Sequence, residues 1–145
     1  MSEEKRTIMV VDDDDMNLQM AEFILKKELS AEVITANSGY QCIELLQQRM
    51  IPDLILLDIQ MPRLDGIKTL EMIRARAEWK DIPVIFLTAS ADKNTVIRAG
   101  KLKVADYIKK PFMPNDLAER VSKVFALKAM DDPQLAAIMA ELNKL

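Results

Sequence analysis

Residues 54–57 read Leu-Ile-Leu-Leu and residues 84–87 read Val-Ile-Phe-Leu, apolar at every position. A strand with one wet face alternates apolar and polar side chains. An unbroken apolar run of this length suits a strand covered on both faces, as in a parallel sheet flanked by helices. Working outward, similar short runs occur at Thr7–Val11 and Glu32–Ala36, with a weaker one at Ala105–Lys109. Five strands are expected, and the stretches between them are long enough for helices.

Those stretches have helical spacing. Leu18, Ala21, Leu25 and Leu29 fall on one face of the first, and Cys42, Leu45, Leu46 and Met50 follow a polar Asn37-Ser38-Gly39 start in the second. The third runs from Gly66 to about Ala77 with Ile67, Leu70 and Ile73 in register, and Pro83 marks the approach to the next strand. The fourth spans about Asn94–Leu102, and the fifth opens after Pro114-Asn115 with Leu117, Val121, Val124 and Phe125 on one face. Strict alternation of strand and helix predicts right-handed crossovers and a doubly wound α/β fold, (βα)5. Residues 1–128 make this domain. In the extension 129–145, Asp132-Pro133 is a good cap and first-turn pair. Leu135, Ile138, Met139 and Leu142 form an apolar stripe, so a short extra C-terminal helix is expected, free to pack on the domain, pair with a second copy or begin a linker.

Composition narrows the function. A chain of 145 residues and 16.5 kDa, half apolar and 30% charged, fits one domain with one core and a soluble surface. No apolar run approaches the ~18 residues of a membrane span, and the opening MSEEKRTIMV lacks a signal-peptide layout, so a cytoplasmic protein is expected. The single cysteine, Cys42, has no internal disulfide partner and reads as a buried small hydrophobe. A formal charge of −3 and a pI near 5.1 disfavour a dedicated nucleic-acid binder. With no histidine, the chain builds no histidine general base and no phosphohistidine of its own. Any histidine chemistry has to come from a partner.

Ligands of such sheets gather at the carboxyl ends of the strands, and here those ends are acidic. The first strand runs into Asp12-Asp13-Asp14-Asp15, the third ends at Asp58, the fourth at Thr88, and the fifth at Lys109-Lys110-Pro111. Taken singly, the residues read as a solvated turn with Asp15 capping the first helix, a strand-end acid, a β-branched strand residue and, for Lys109, a solvent-facing side chain. Together they point to chemistry. Carboxylates ~4 Å apart repel by roughly 4 kcal/mol at an effective dielectric of 20, and a divalent cation relieves that repulsion. Oxygen ligands without His or Cys select a hard ion such as Mg²⁺. Lys110 and Thr88 add a fixed cation and a hydroxyl donor for an anionic oxygen, so the set reads as a phosphoryl-transfer site with Asp58 as nucleophile.

On these residues the sequence resembles the receiver domain of two-component response regulators, over about residues 6–128. The resemblance rests on Val10-Val11-Asp12-Asp13, on Asp58-Ile59-Gln60-Met61-Pro62-Arg63-Leu64-Asp65-Gly66, on Leu87-Thr88-Ala89 and on Asp106-Tyr107-Ile108-Lys109-Lys110-Pro111-Phe112. It implies a flavodoxin-like sheet in the order 2-1-3-4-5 and a stand-alone, chemotaxis-regulator-like switch. Asp58 would take a phosphoryl group from the phosphohistidine of a sensor histidine kinase or a histidine phosphotransfer protein. Mg²⁺ would be held by Asp13, Asp58 and the carbonyl of Gln60, with Asp12 on metal-bound water, and Thr88 and Lys110 would contact the phosphoryl oxygens. Tyr107 would turn inward with Thr88, changing the face of the fourth helix, fifth strand and fifth helix toward a downstream protein. A homodimer would use that face or the C-terminal helix. Lys110-Pro111 would be cis, and Gln60 and Ser90 would influence phosphate lifetime.

One position departs from the family. Four residues before the aromatic, where glycine is usual, stands Lys103, so either the fourth helix stops early at Gly100 or Lys103 takes a strained conformation. Lys101, Lys103 and Arg98 form a small basic patch read as a solvated face. The ten methionines read as core filler, and Trp79 as a surface-loop anchor. Two rivals are weaker. A haloacid-dehalogenase-like phosphohydrolase would use Asp12 and Asp14 but leaves the Asp58 segment unexplained. A phosphorylation-independent docking module would usually have lost an acid or the lysine.

Overall fold

The computed structural model describes residues 5–89, 92–129, 138, 141, 142 and 144. Its elements alternate as expected: β1 (Thr7–Val11), α1 (Asp15–Leu29), β2 (Glu32–Ala36), α2 (Gly39–Gln47), β3 (Leu54–Asp58), α3 (Gly66–Arg74), β4 (Val84–Thr88), α4 (Lys93–Lys101), β5 (Asp106–Lys109) and α5 (Pro114–Ala129). The strands form one parallel sheet in the order β2-β1-β3-β4-β5. No helix among the described residues is long and apolar enough to cross a membrane.

Side chains alternate across each strand, so every central strand feeds two cores. Ile8, Val10, Leu54, Leu56, Ile85 and Leu87 pack with α1 and α5 on one face. Met9, Val11, Ile55, Leu57, Val84 and Phe86 pack with α2 and α3 on the other. This double burial is why β3 and β4 read as continuous apolar runs. Of α4, only Ala99 is buried, so that helix is held by few apolar contacts.

Four helices open on a side-chain cap: Asp14, Ser38, Asp65 and Asp92 accept from the amides of Met16, Gln41, Lys68 and Thr95. The cap of α1 is therefore Asp14, and Asp15, expected in that role, is already the first helical residue. The extended φ and ψ of Asp14, −98° and 114°, suit a cap. The third helix ends at Arg74 and not near Ala77, because the chain then turns to bury Trp79 against Ile73 and Ile82. Trp79 is thus a core residue with Arg76 stacked on its ring 4.9 Å away, which corrects its reading as a surface anchor. The methionines divide: Met9 and Met61 fill the core, whereas Met16, Met20, Met50, Met72 and Met113 are exposed.

Lys103 settles the question at the end of α4. The helix passes through Gly100, and Lys103 takes the left-handed conformation with φ 58°. Its amide bonds the Gly100 carbonyl and the amide of Val104 bonds Ala99, the paired bonds of a Schellman turn. Of the C-terminal extension, residues 130–137, 139, 140, 143 and 145 lie outside the described residues, and with them most of the sixth helix expected there. Ile138 and Leu142 are helical and exposed.

Candidate functional site

The parallel register brings the ends of four strands to one edge. Val11 pairs with Leu57, Asp58 with Leu87 and Thr88 with Lys109, so Asp12, Asp58, Thr88 and Lys110 emerge side by side. Backbone bonds carry the order past the strand ends: Asp12 N donates to Ala36 O at 3.1 Å, Ile59 N to Leu87 O at 3.1 Å, and Lys110 N to Thr88 O at 2.7 Å. The Lys110-Pro111 peptide is cis.

Asp12, Asp58 and Thr88 are buried, and Asp13 is exposed beside them. The Lys110 ammonium lies 2.8 Å from Asp12 Oδ2 and 3.2 Å from Asp58 Oδ1. Asp58 Oδ1 also accepts from the Gln60 amide at 3.2 Å, and Asp12 Oδ1 from the Asp14 amide at 2.9 Å. Burial pushes the Asp58 carboxyl up to about 7, the Asp12 charge adding to it and Lys110 opposing it. Burial also works against the Lys110 ammonium, but its close approach to Asp12 and the charges of Asp58 and Asp12 outweigh it and raise its pKa.

These residues fit a divalent cation. Asp12, Asp13 and Asp58 each present a carboxylate oxygen, all within 4.8 Å of one another. Asp12 Oδ2 is wholly buried and has no aligned hydrogen-bond donor, so the nearby ammonium answers its charge without completing its bonds. An all-oxygen set with two buried carboxylates is the donor chemistry of Mg²⁺.

The loop from Asp58 to α3 is held by close packing. Gly66 N donates to Ile59 O at 2.8 Å, and a Cβ on Gly66 would fall on the carbonyl oxygen of Asp58 and 2.7 Å from Ile59 Cα. In the same loop Arg63 has φ 69°, and Leu64 N bonds Pro62 O at 2.8 Å across it. Asp14 points elsewhere: its carboxylate caps α1. Lys109 is exposed, as alternation required, and Ser90 lies outside the described residues.

Away from the acids, Tyr107 is half-buried, its ring 6.3 Å from Phe86 and its hydroxyl donating to the Val96 carbonyl of α4 at 3.1 Å. Arg120 of α5 bonds Asp106 at 3.0 Å and Asp116 at 2.9 Å, tying α5 to β5. The sequence reading missed Arg74. Its guanidinium donates to the carbonyls of Leu102 at 2.8 Å, Ile82 at 2.7 Å, Lys80 at 3.0 Å and Lys103 at 3.4 Å, fastening the end of α4 to the approach to β4. An arginine in the last turn of a helix carries no periodic signal that distinguishes such a clamp from a solvated charge.

A doubly wound (βα)5 unit with acids, a hydroxyl and a lysine at its carboxyl edge is an α/β protein of the flavodoxin-like class. The profile of the response regulator receiver domain matches residues 8–122, and the chain belongs to that family. Hybrid signal transduction histidine kinase D of Dictyostelium discoideum is 36% identical over 125 residues, 86% of this chain and 8% of that protein. The "Probable transcriptional regulator ycf27" of Guillardia theta is 36% identical over 122 residues, 84% of this chain and 46% of its own length. The chain thus spans about half or less of the length of the curated relatives it matches. Among solved structures, the signal receiver domain of a signal transduction histidine kinase from Syntrophus aciditrophicus superposes with a TM-score of 0.75 at 27% identity, covering 83% of this chain and 90% of that one. A CheY-like receiver domain protein from Methanospirillum hungatei shares the fold at a TM-score of 0.81 and 24% identity, covering 88% and 99%.

Proposed function

We propose that this chain is a phosphorylation-dependent switch of a two-component system and that Asp58 is its phosphoryl acceptor. The observation that carries the reading is the meeting of buried Asp58 with Asp12, Asp13 and Lys110 at the carboxyl edge of a receiver sheet. A carboxylate oxygen of Asp58 attacks the phosphorus of a partner's phosphohistidine. The O–P bond forms as the P–N bond breaks, and the electron pair leaves with the imidazole of a sensor histidine kinase or histidine phosphotransfer protein. Mg²⁺ held by Asp12, Asp13, Asp58 and the Gln60 carbonyl would neutralise the charge that gathers on the transferred group. Lys110 and Thr88 hold phosphoryl oxygens. The exposed Met16, Met20 and Phe23 of α1, which starts three residues after Asp12, offer the partner an apolar footing beside the site.

The output runs through α4, β5 and α5. Arg74 fastens only the end of α4, and few apolar contacts and the Tyr107 hydroxyl hold the rest, so a new charge at Asp58 has a loosely packed element to bias. The chain then acts as a signalling acceptor that catalyses only its own phosphoryl uptake and loss, in the cytoplasm, with residues 1–128 as the receiver and 129–145 as an extension. A phosphohydrolase built on Asp12 and Asp14 is disfavoured by the use of Asp14 as a helix cap.

The test is intact mass after incubation with Mg²⁺ and acetyl phosphate, wild type beside Asp58→Asn. One phosphoryl adduct on the wild type alone, removed by hydroxylamine, is expected. An adduct on both proteins would move the acceptor elsewhere. No adduct, together with no binding of beryllofluoride, would leave a docking module.

A further inference from the structure

At the opposite end of the sheet from Asp58, two adjoining cavities of about 280 and 510 Å³ share Arg74, Lys80, Asp81 and Lys103 in their walls. Lys101 completes the smaller and Lys128 the larger, whose floor is Ile82, Pro83 and Ala105. The fold therefore gathers lysines from the turn before β4, the end of α4, the α4–β5 turn and the end of α5, positions up to 48 residues apart in a chain whose overall charge is −3.

The ordinary reading of such lysines is that they offset helix ends. Two helices, α3 and α4, terminate here, each contributing about half a negative charge. Four lysines and Arg74 against one carboxylate, Asp81, exceed that by more than a factor of two. Arg74 is spent on four backbone carbonyls and acts as the frame. The lysines are not spent: among the described residues no carboxylate lies within ion-pair distance of Lys80, Lys101, Lys103 or Lys128, whereas neighbouring Arg98 is paired with Glu71 at 3.6 Å.

We propose that this cleft binds a small organic polyanion bearing two or more phosphate groups, the phosphates on Lys80, Lys101, Lys103 and Lys128 and the organic part on Pro83 and Ala105. Lysine ammoniums suit phosphate as point charges, and cavities of this size suit a small ligand better than an extended chain. The acidic overall charge argues against a nucleic-acid polymer. The inference is independent of the chemistry at Asp58.

Titration of metal-free protein with sodium pyrophosphate and with ADP, followed by calorimetry and amide NMR, tests it. Saturable binding is expected, with shifts centred on residues 74, 80–83, 101–105 and 128 and with ADP tighter than pyrophosphate. The double variant Lys80→Gln, Lys103→Gln should bind at least about tenfold more weakly, while Lys26→Gln on α1 should bind as the wild type does. Shifts centred on Lys110, unchanged affinity in the double variant, or tighter binding of a glutamate-rich peptide than of ADP would each overturn the assignment.

Discussion

The Lys110 ammonium sits 2.8 Å from Asp12 Oδ2 and so ties the end of β5 to the end of β1 across the two strands between them. It lies between two buried carboxylates and is itself mostly covered. Lys110→Ala leaves both acids without a cation and should cost about 3 kcal/mol of stability in metal-free buffer. Saturating Mg²⁺ should restore part of the loss if the acids hold the ion. Urea melts with and without Mg²⁺ measure both, and equal losses in the two buffers would count against the metal assignment.

Two glycines separate space from conformation. Gly66 has the Asp58 backbone where a Cβ would go, so Gly66→Ala has to move the loop that follows the acceptor. It should lose about 2 kcal/mol and most of its phosphoryl uptake. Gly100 lies within α4 with nothing near its missing Cβ, so Gly100→Ala should gain about 0.5–1 kcal/mol. Thermal melts of the pair check the contrast, and equal signs would refute it.

Arg74 fastens the end of α4 through a fork of hydrogen bonds to four carbonyls, and a lysine cannot reproduce that fork. Arg74→Lys should cost about 2 kcal/mol and speed amide exchange in α4 and the turn after it. Exchange accelerated uniformly across the sheet would show a global and not a local effect.

Cys42 lies in the core between α2 and the sheet, where burial pushes its thiol up to about 12. The folded protein keeps the proton that the unfolded chain releases above about 8.5. Stability is therefore fully present below that pH and falls as pH rises toward 12, by about 1.4 kcal/mol per unit. Cys42→Ala should lose that slope, as urea melts from pH 8 to 10 would report. At pH 8 the native thiol should resist iodoacetamide.

How much was legible depends on the kind of signal. The five strands were read to within a residue: burial on both faces leaves β3 and β4 apolar at Leu54–Leu57 and Val84–Leu87, and the partly exposed edge strands β2 and β5 were placed by the short mixed runs between helical stretches. Asp12, Asp58, Thr88 and Lys110 were legible as a set because in a parallel sheet every strand delivers its last residue to one edge. Helix ends were read less well. Asp14 and Asp15 are both good caps, and the choice between them rests on φ and ψ. Trp79 was misplaced because burial of a residue in a turn is set by the neighbours it meets, Ile73 and Ile82, and not by local periodicity.

The sequence by itself determined the alternation of strand and helix, the doubly wound class and the chemical types at the strand ends, since these follow from side-chain period and residue chemistry along the chain. Only the tertiary structure decided that Lys103 and not Gly100 turns the end of α4, that Arg74 clamps that turn, and that Lys80 and Lys128 join it in one basic cleft. The turn at Lys103 is local, but its alternatives differ only in φ and ψ; the clamp and the cleft depend on which residues distant in sequence come within a few ångströms of one another, and packing, not local preference, sets that distance.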